Sequence, residues 1–254
     1  MISNMNFIER IIYILEKYGV SYLKGAGTTL VIALVSTAIG CLIGFLVGVV
    51  QTIPVDKKRD SFVKIFALRL LQIIFRVYVE VFRGTPMIVQ AVFIYYGLAQ
   101  IFNIQLGMWA SAFLVVSINT GAYMAESVRG GIISVNIGQT EGAKAIGMNH
   151  IQTMLYVIMP QAFRNIMPQI GNNLIINIKD TSVLSIIAIV DLFFVHKSVT
   201  GALYTYFESA TIVMLIYLTM TVTASKLLRL WERKLDGDDN YEMVDTMGIG
   251  DQMR

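Results

Sequence analysis

GGIISVNIGQTEGAKAIGMNHIQTMLYVIMPQAFRNIMP, from Gly130 to Pro168, is a polar stretch set inside an otherwise apolar chain. A plain connector between two apolar runs is short and turn-like. This one carries helix starts and stops of its own. Thr140 is placed to cap a short helix beginning at Glu141, and Ala143, Lys144, Ala145 and Ile146 favour helix. Gly147 is a natural stop, because glycine enters the left-handed region without steric cost. Asn149 is placed to start a second helix, with Gln152 three residues on in the capping-box position. Pro160 is expected to break or kink that helix as the chain turns apolar again. The spacing predicts helix, tight turn, helix, the first piece small and knob-like. Such a loop is suited to a soluble partner, and the plainer alternative is an amphipathic surface helix with none.

The flanks decide the class. The 254 residues are 56% hydrophobic and only 15% charged, with a mean hydropathy of +0.65. Soluble domains carry about 25% charged residues. The expectation is an all-α integral membrane protein in contact with lipid. A net charge of +3 is too small to imply nucleic acid. Cys41 is the single cysteine, so an intrachain disulfide is excluded. No cleavable signal is expected, because Glu9, Arg10, Glu16 and Lys17 interrupt the first apolar stripe.

Residues 7–18 place Ile8, Ile11, Ile12 and Leu15 at helical spacing, which predicts an interfacial helix. Five membrane spans are then expected, near 28–50, 86–102, 108–125, 170–190 and 207–228. Three regions follow: an N-terminal amphipathic segment over 1–25, a transmembrane domain over 26–234, and an acidic tail over 235–254. Basic residues are retained in the cytoplasm. Lys57, Lys58, Arg59, Lys64, Arg129, Lys144, Arg164, Lys226, Arg229, Arg233, Lys234 and Arg254 fall on one side if the N-terminus lies outside and the C-terminus inside.

Two further patterns stand out. Ser36, Gly40, Gly44 and Gly48 recur every four residues on one face of the first span, as close helix packing or a dimer seam requires. Over 65–83, Arg69, Arg76, Glu80 and Arg83 share one stripe of an otherwise apolar helix. That stripe faces either interfacial water or, in its upper turns, a water-filled pathway.

Lys179 and Asp180 follow the apolar run Leu174 to Ile178. Ionisable groups at membrane depth are costly and by default face a cavity or each other. One reading is a site for the charged head of an amino acid, completed by Glu80, Gln90 and Asn119. The other is a structural pair near the membrane boundary. No nucleophile–base set and no metal-ligand spacing is present, so neither catalysis nor a resident metal is expected. The chain also lacks a phosphate-binding Gly-x-x-x-x-Gly-Lys-Ser/Thr loop.

The loop resembles the cytoplasmic signature of ABC importer permeases: Glu-Ala-Ala, three residues, Gly, nine residues, Ile-x-Leu-Pro. Glu141, Ala143, Gly147 and Pro160 match it in register, while Gly142, Val157 and Met159 stand where Ala, Ile and Leu are usual. RGTPMIVQAVFIYYGL (83–98), NTGAYMAESVRGGI (119–132), GQTEGAKAIGM (138–148) and KDTSVLSIIAIVDL (179–192) resemble the polar amino acid uptake branch. The resemblance implies the type I importer permease fold, with two permeases forming the pathway. ATP and magnesium would be held by partner ATPase subunits, with no cofactor on this chain, and an extracytoplasmic binding protein would deliver a polar amino acid. It also implies that Glu141, Gly142, Ala143, Lys144, Ala145, Gly147, Met148, Asn149 and His150 form the coupling helix and its turn against the ATPase. The competing expectation is an ion-gradient-driven carrier, which is commonly built from two repeated halves; no such repeat is evident.

Overall fold

No proline interrupts residues 7–52, and they form one helix of 46 residues, α1 (Phe7–Thr52). At about 1.5 Å per residue it is roughly 69 Å long, over twice the hydrocarbon thickness of about 30 Å. The expected interfacial helix and first span are therefore one element, and the boundary near residue 25 falls inside it. The computed structural model describes residues 5–55 and 61–236, and side chains among these up to Trp231. The basic residues of the 56–60 loop and the tail beyond 236 lie outside the described residues.

The next elements are α2 (Phe62–Gly84), α3 (Met87–Val92), a π-helical turn (Phe93–Gly97) and α4 (Leu98–Phe102). Pro86 forces the break before α3, since the residue preceding a proline is pushed out of the helical region; Thr85 is extended, at φ −120° and ψ 145°. α5 (Met108–Ile133) continues about two turns past the expected end of its span. α6 (Ile137–Ala145) and α7 (His150–Thr153) make the predicted knob. A second π-helical turn (Met154–Ile158) leads into α8 (Met159–Asp180). Pro160 therefore does not break the chain. The wide turn just before it absorbs the missing N–H, so 150–180 stays helical throughout.

The expected span over 170–190 is not a single helix. α8 ends at Asp180, and a 3-10 segment (Thr181–Ile187) carries the chain to α9 (Leu192–Leu203), an element the sequence did not announce. α10 (Tyr206–Asp236) completes the bundle. By length and apolarity α1, α5 and residues 206–231 of α10 suffice to cross a membrane, and 87–102 is a shorter apolar unit.

α5 is the hub, lying along α1 and touching α2, α3 and α8. The small-residue stripe of α1 makes this close approach possible within the chain. A Cβ on Gly44 would meet the Met124 Cβ at 2.3 Å, and one on Gly48 the Ala125 carbonyl oxygen at 2.7 Å. Ile14, Tyr22 and Ala26 of α1 are buried against Leu192, Val195 and Val199 of α9 and Ile212 and Val213 of α10. That contact explains why the amphipathic start of α1 does not peel away as a separate helix. α2 is held differently: Val79 is its one buried residue.

Candidate functional site

Two regions combine exposed or cavity-facing polar groups with an arrangement the fold sets: the knob, and a polar layer where α2, α3, α5 and α8 meet.

The knob begins four residues before the predicted start. The Asn136 side chain accepts from the Gly138 N–H at 2.8 Å, so α6 starts at Ile137 and Thr140 is not its cap. Glu141 therefore sits one turn inside the helix, where the N-terminal dipole no longer acts on it strongly. The end of α6 is as predicted. Gly147 has φ +86°, the Met148 N–H donates to the Ala143 carbonyl and the Gly147 N–H to the Lys144 carbonyl, each at 3.0 Å. Asn149 and Gln152 form the expected reciprocal capping box at 2.9 Å in both directions. Ala143 alone of α6 is buried. Glu141, Gly142, Lys144, Ala145, Gly147, Asn149 and His150 are exposed, and Met148 is half-buried. Ile146 is 76% exposed and Ile151 68%, beside exposed Leu155 and Tyr156. The knob thus shows apolar surface beside the exposed charges of Glu141 and Lys144.

The polar layer starts from the break at Pro86, which leaves the last carbonyls of α2 without helical partners. Gln90 Nε2 donates to the Phe82 and Thr85 carbonyls at 2.9 Å each, and Asn119 Nδ2 donates to Phe82 O and Gln90 Oε1 at 3.1 Å each. The expected Gln90–Asn119 neighbourhood thus exists, but Gln90 is buried and its amide is spent on closing the α2–α3 corner. Below it, Asn177 Nδ2 donates to Thr37 Oγ1 at 2.7 Å and Thr120 Oγ1 at 2.9 Å. Asn173 Nδ2 donates to the Gln169 carbonyl at 3.0 Å. Asn119, Thr120 and Tyr123 of α5, Asn173, Asn177 and Asp180 of α8, and Thr85 line a cavity of about 220 Å³.

The five residues singled out from the sequence are therefore divided. Asn119 and Asp180 share the small cavity, Gln90 supports it, and Lys179 is exposed beside it on another side of α8. Glu80 lines a separate cavity of about 960 Å³ with Arg76, Arg83, Glu126 and Arg129, opening toward Ile137 and Thr140 at the knob. Sequence reasoning missed Asn173 and Asn177, although with Asp180 they recur at intervals of four and three on one face of α8. It also missed Glu126, which pairs with Arg129 and lies 3.8 Å from Arg83.

A third polar group lies where α1, α9 and α10 meet. Tyr22 Oη and His196 Nδ1 both hydrogen-bond the Ser209 hydroxyl, at 2.7 and 2.8 Å. Asp191 caps α9 by accepting from the Phe194 N–H at 2.9 Å. These residues bind the fold together and line neither cavity of the polar layer.

Residues 62–237 match the family model described as the inner membrane component of binding-protein-dependent transport systems. The chain belongs to this family. It is 34% identical to the glutamine transport system permease protein GlnP of Escherichia coli K12 over 214 residues, 84% of this chain and 92% of the relative. It is 33% identical to the arginine transport system permease protein ArtQ of Bacillus subtilis, over 85% of this chain and 93% of the relative. Its fold is similar to the crystal structure of an amino acid ABC transporter with histidines, at TM-score 0.78 and 34% identity, covering 91% of this chain and 99% of that one. The protein is thus a multi-pass membrane permease subunit of the ABC importer type, a transport component and not an enzyme. These relatives give the ion-gradient carrier no support.

Proposed function

We propose that this permease carries a polar amino acid into the cytoplasm, driven by ATP hydrolysis on separate subunits docked against the α6–α7 knob. The observation that carries the coupling assignment is the knob itself. It is locally self-capped and exposed, and it presents Ile146 and Ile151 to a partner. On this reading residues 141–150 seat in the ATPase, and the knob end of the bundle is cytoplasmic, with the N-terminus outside. Two permease copies line the pathway, and an extracytoplasmic binding protein delivers the cargo.

The small cavity serves as the transit site. It offers amide and hydroxyl groups from Asn119, Thr120, Tyr123, Asn173 and Asn177, and one carboxylate, Asp180, for a substrate ammonium. A zwitterion needs such polar partners when it leaves water. Lys179 takes the substrate carboxylate only if the partner copy or a moved α8 brings it to the pathway.

The test is reconstitution of the permease with its ATPase and binding protein in liposomes. Labelled glutamine, arginine and histidine are offered with and without ATP. Uptake that needs ATP and persists with ionophores supports the proposal. Uptake that collapses with ionophores and ignores ATP refutes it.

A further inference from the structure

The walls of the 220 Å³ cavity and the 960 Å³ cavity come close together at one place. Thr85 and Tyr123 line the first, while Arg83 and Glu126, two and three residues away, line the second. The Arg83 guanidinium stands between them, 5.6 Å from the Tyr123 ring centroid and with Nη1 3.8 Å from Glu126 Oε2. We propose that Arg83 is a side-chain gate between the transit site and the knob-side vestibule: closed on Tyr123 and Glu126, open when released.

The backbone beneath this side chain is fixed. Asn119 and Gln90 both donate to the Phe82 carbonyl, and the Tyr78 hydroxyl donates to Ile118 O at 2.7 Å. A long guanidinium on an anchored backbone moves by rotamer change alone, without unpacking a helix. Its partners hold it weakly. Side chains of Arg83 and Glu126 are 42% and 35% exposed, and ion pairs in contact with water are individually weak. Arg129 shares the Glu126 carboxylate from the same helix. Glu126 therefore keeps a cation when Arg83 swings away, so opening leaves no stranded charge. Arg76 and Glu80 on the vestibule wall give the released guanidinium another polar neighbourhood. A strut built only for stability would be buried and would satisfy Arg83 more fully.

The gate rests on the transport reading, and the experiment separates the two. ATP-driven uptake of labelled glutamine, arginine or histidine by the parent complex in liposomes tests transport. ATP-independent exchange of the same label tests the gate. Arg83→Gln and, as a second variant that leaves the guanidinium in place, Glu126→Gln are expected to raise exchange about threefold, as loss of a weak ion pair implies. Arg83→Lys, which keeps the charge, is expected to stay closer to the parent. Parental exchange in both neutral variants overturns the gate.

Discussion

The knob and the polar layer are both polar interruptions of an apolar chain, yet they are built in opposite ways. The bonds that cap and turn the knob join residues within five positions of each other: Asn136 to Gly138, Met148 to Ala143, Asn149 to Gln152; one longer bond, from Gln161 Nε2 to Gln139 Oε1 at 3.4 Å, ties α6 to α8. The layer joins Thr37 to Asn177 across 140 residues and Thr120 to Asn177 across 57. The knob leaves most of its side chains exposed, whereas the layer buries Gln90, Thr120, Asn173 and Asn177 and pairs their polar atoms within the fold. On the coupling proposal, the knob keeps its surface free for a partner while its backbone is locally secured. A part that must sit among apolar helices has to find partners inside the fold, because an unpaired polar group there is costly.

This contrast breaks most readily at Gly147. A Cβ there meets nothing within 4 Å, so the objection to Gly147→Val is the left-handed backbone and not space. Loss of most ATP-driven uptake is expected, with the permease still inserted and folded. Full uptake by this variant would remove the mechanical role of the knob. A severe but different effect is expected in the layer. Asn177→Leu strips the Thr37 and Thr120 hydroxyls of their shared amide, and a melting curve of the purified complex should show a loss of about 1–3 kcal/mol.

Asp180→Asn sharpens the comparison, because it keeps the shape of the layer and removes its charge. Stability is expected to hold, while the apparent affinity for the carried amino acid falls about fivefold, the size of one half-screened charge contact. An unchanged affinity together with unchanged substrate-stimulated ATPase would leave Asp180 a structural residue. The smallest effect belongs to Gly142→Ala, which restores the alanine usual in the signature. The new Cβ meets nothing within 4 Å, so α6 should gain about 0.5–1 kcal/mol, read as slower amide exchange in the knob, with uptake retained.

How legible each part was follows from the same contrast. The left-handed turn at Gly147 and the capping box at Asn149 were readable because caps act over three or four residues. The start of α6 was not, since Asn136 and Thr140 are both good caps and only the folded chain shows which one is used. Gln90 and Asn119 were noticed as polar groups at depth, but their task at the Pro86 corner needed the α2–α3 geometry. Asn173 and Asn177 went unnoticed because asparagine at helical spacing carries no sign of what it faces. Glu126 and Arg83 lie 43 positions apart, beyond the reach of any local pattern.

The membrane class, the helical knob and the permease resemblance were all written along the chain, because hydropathy, capping and short motifs are set by near neighbours. Packing settled that α1 is one long helix, that the span over 170–190 divides at Asp180, and that the walls of two cavities come close together at Arg83. Those outcomes depend on which distant side chains compete for burial and hydrogen bonds, and that competition is resolved only when the helices are packed.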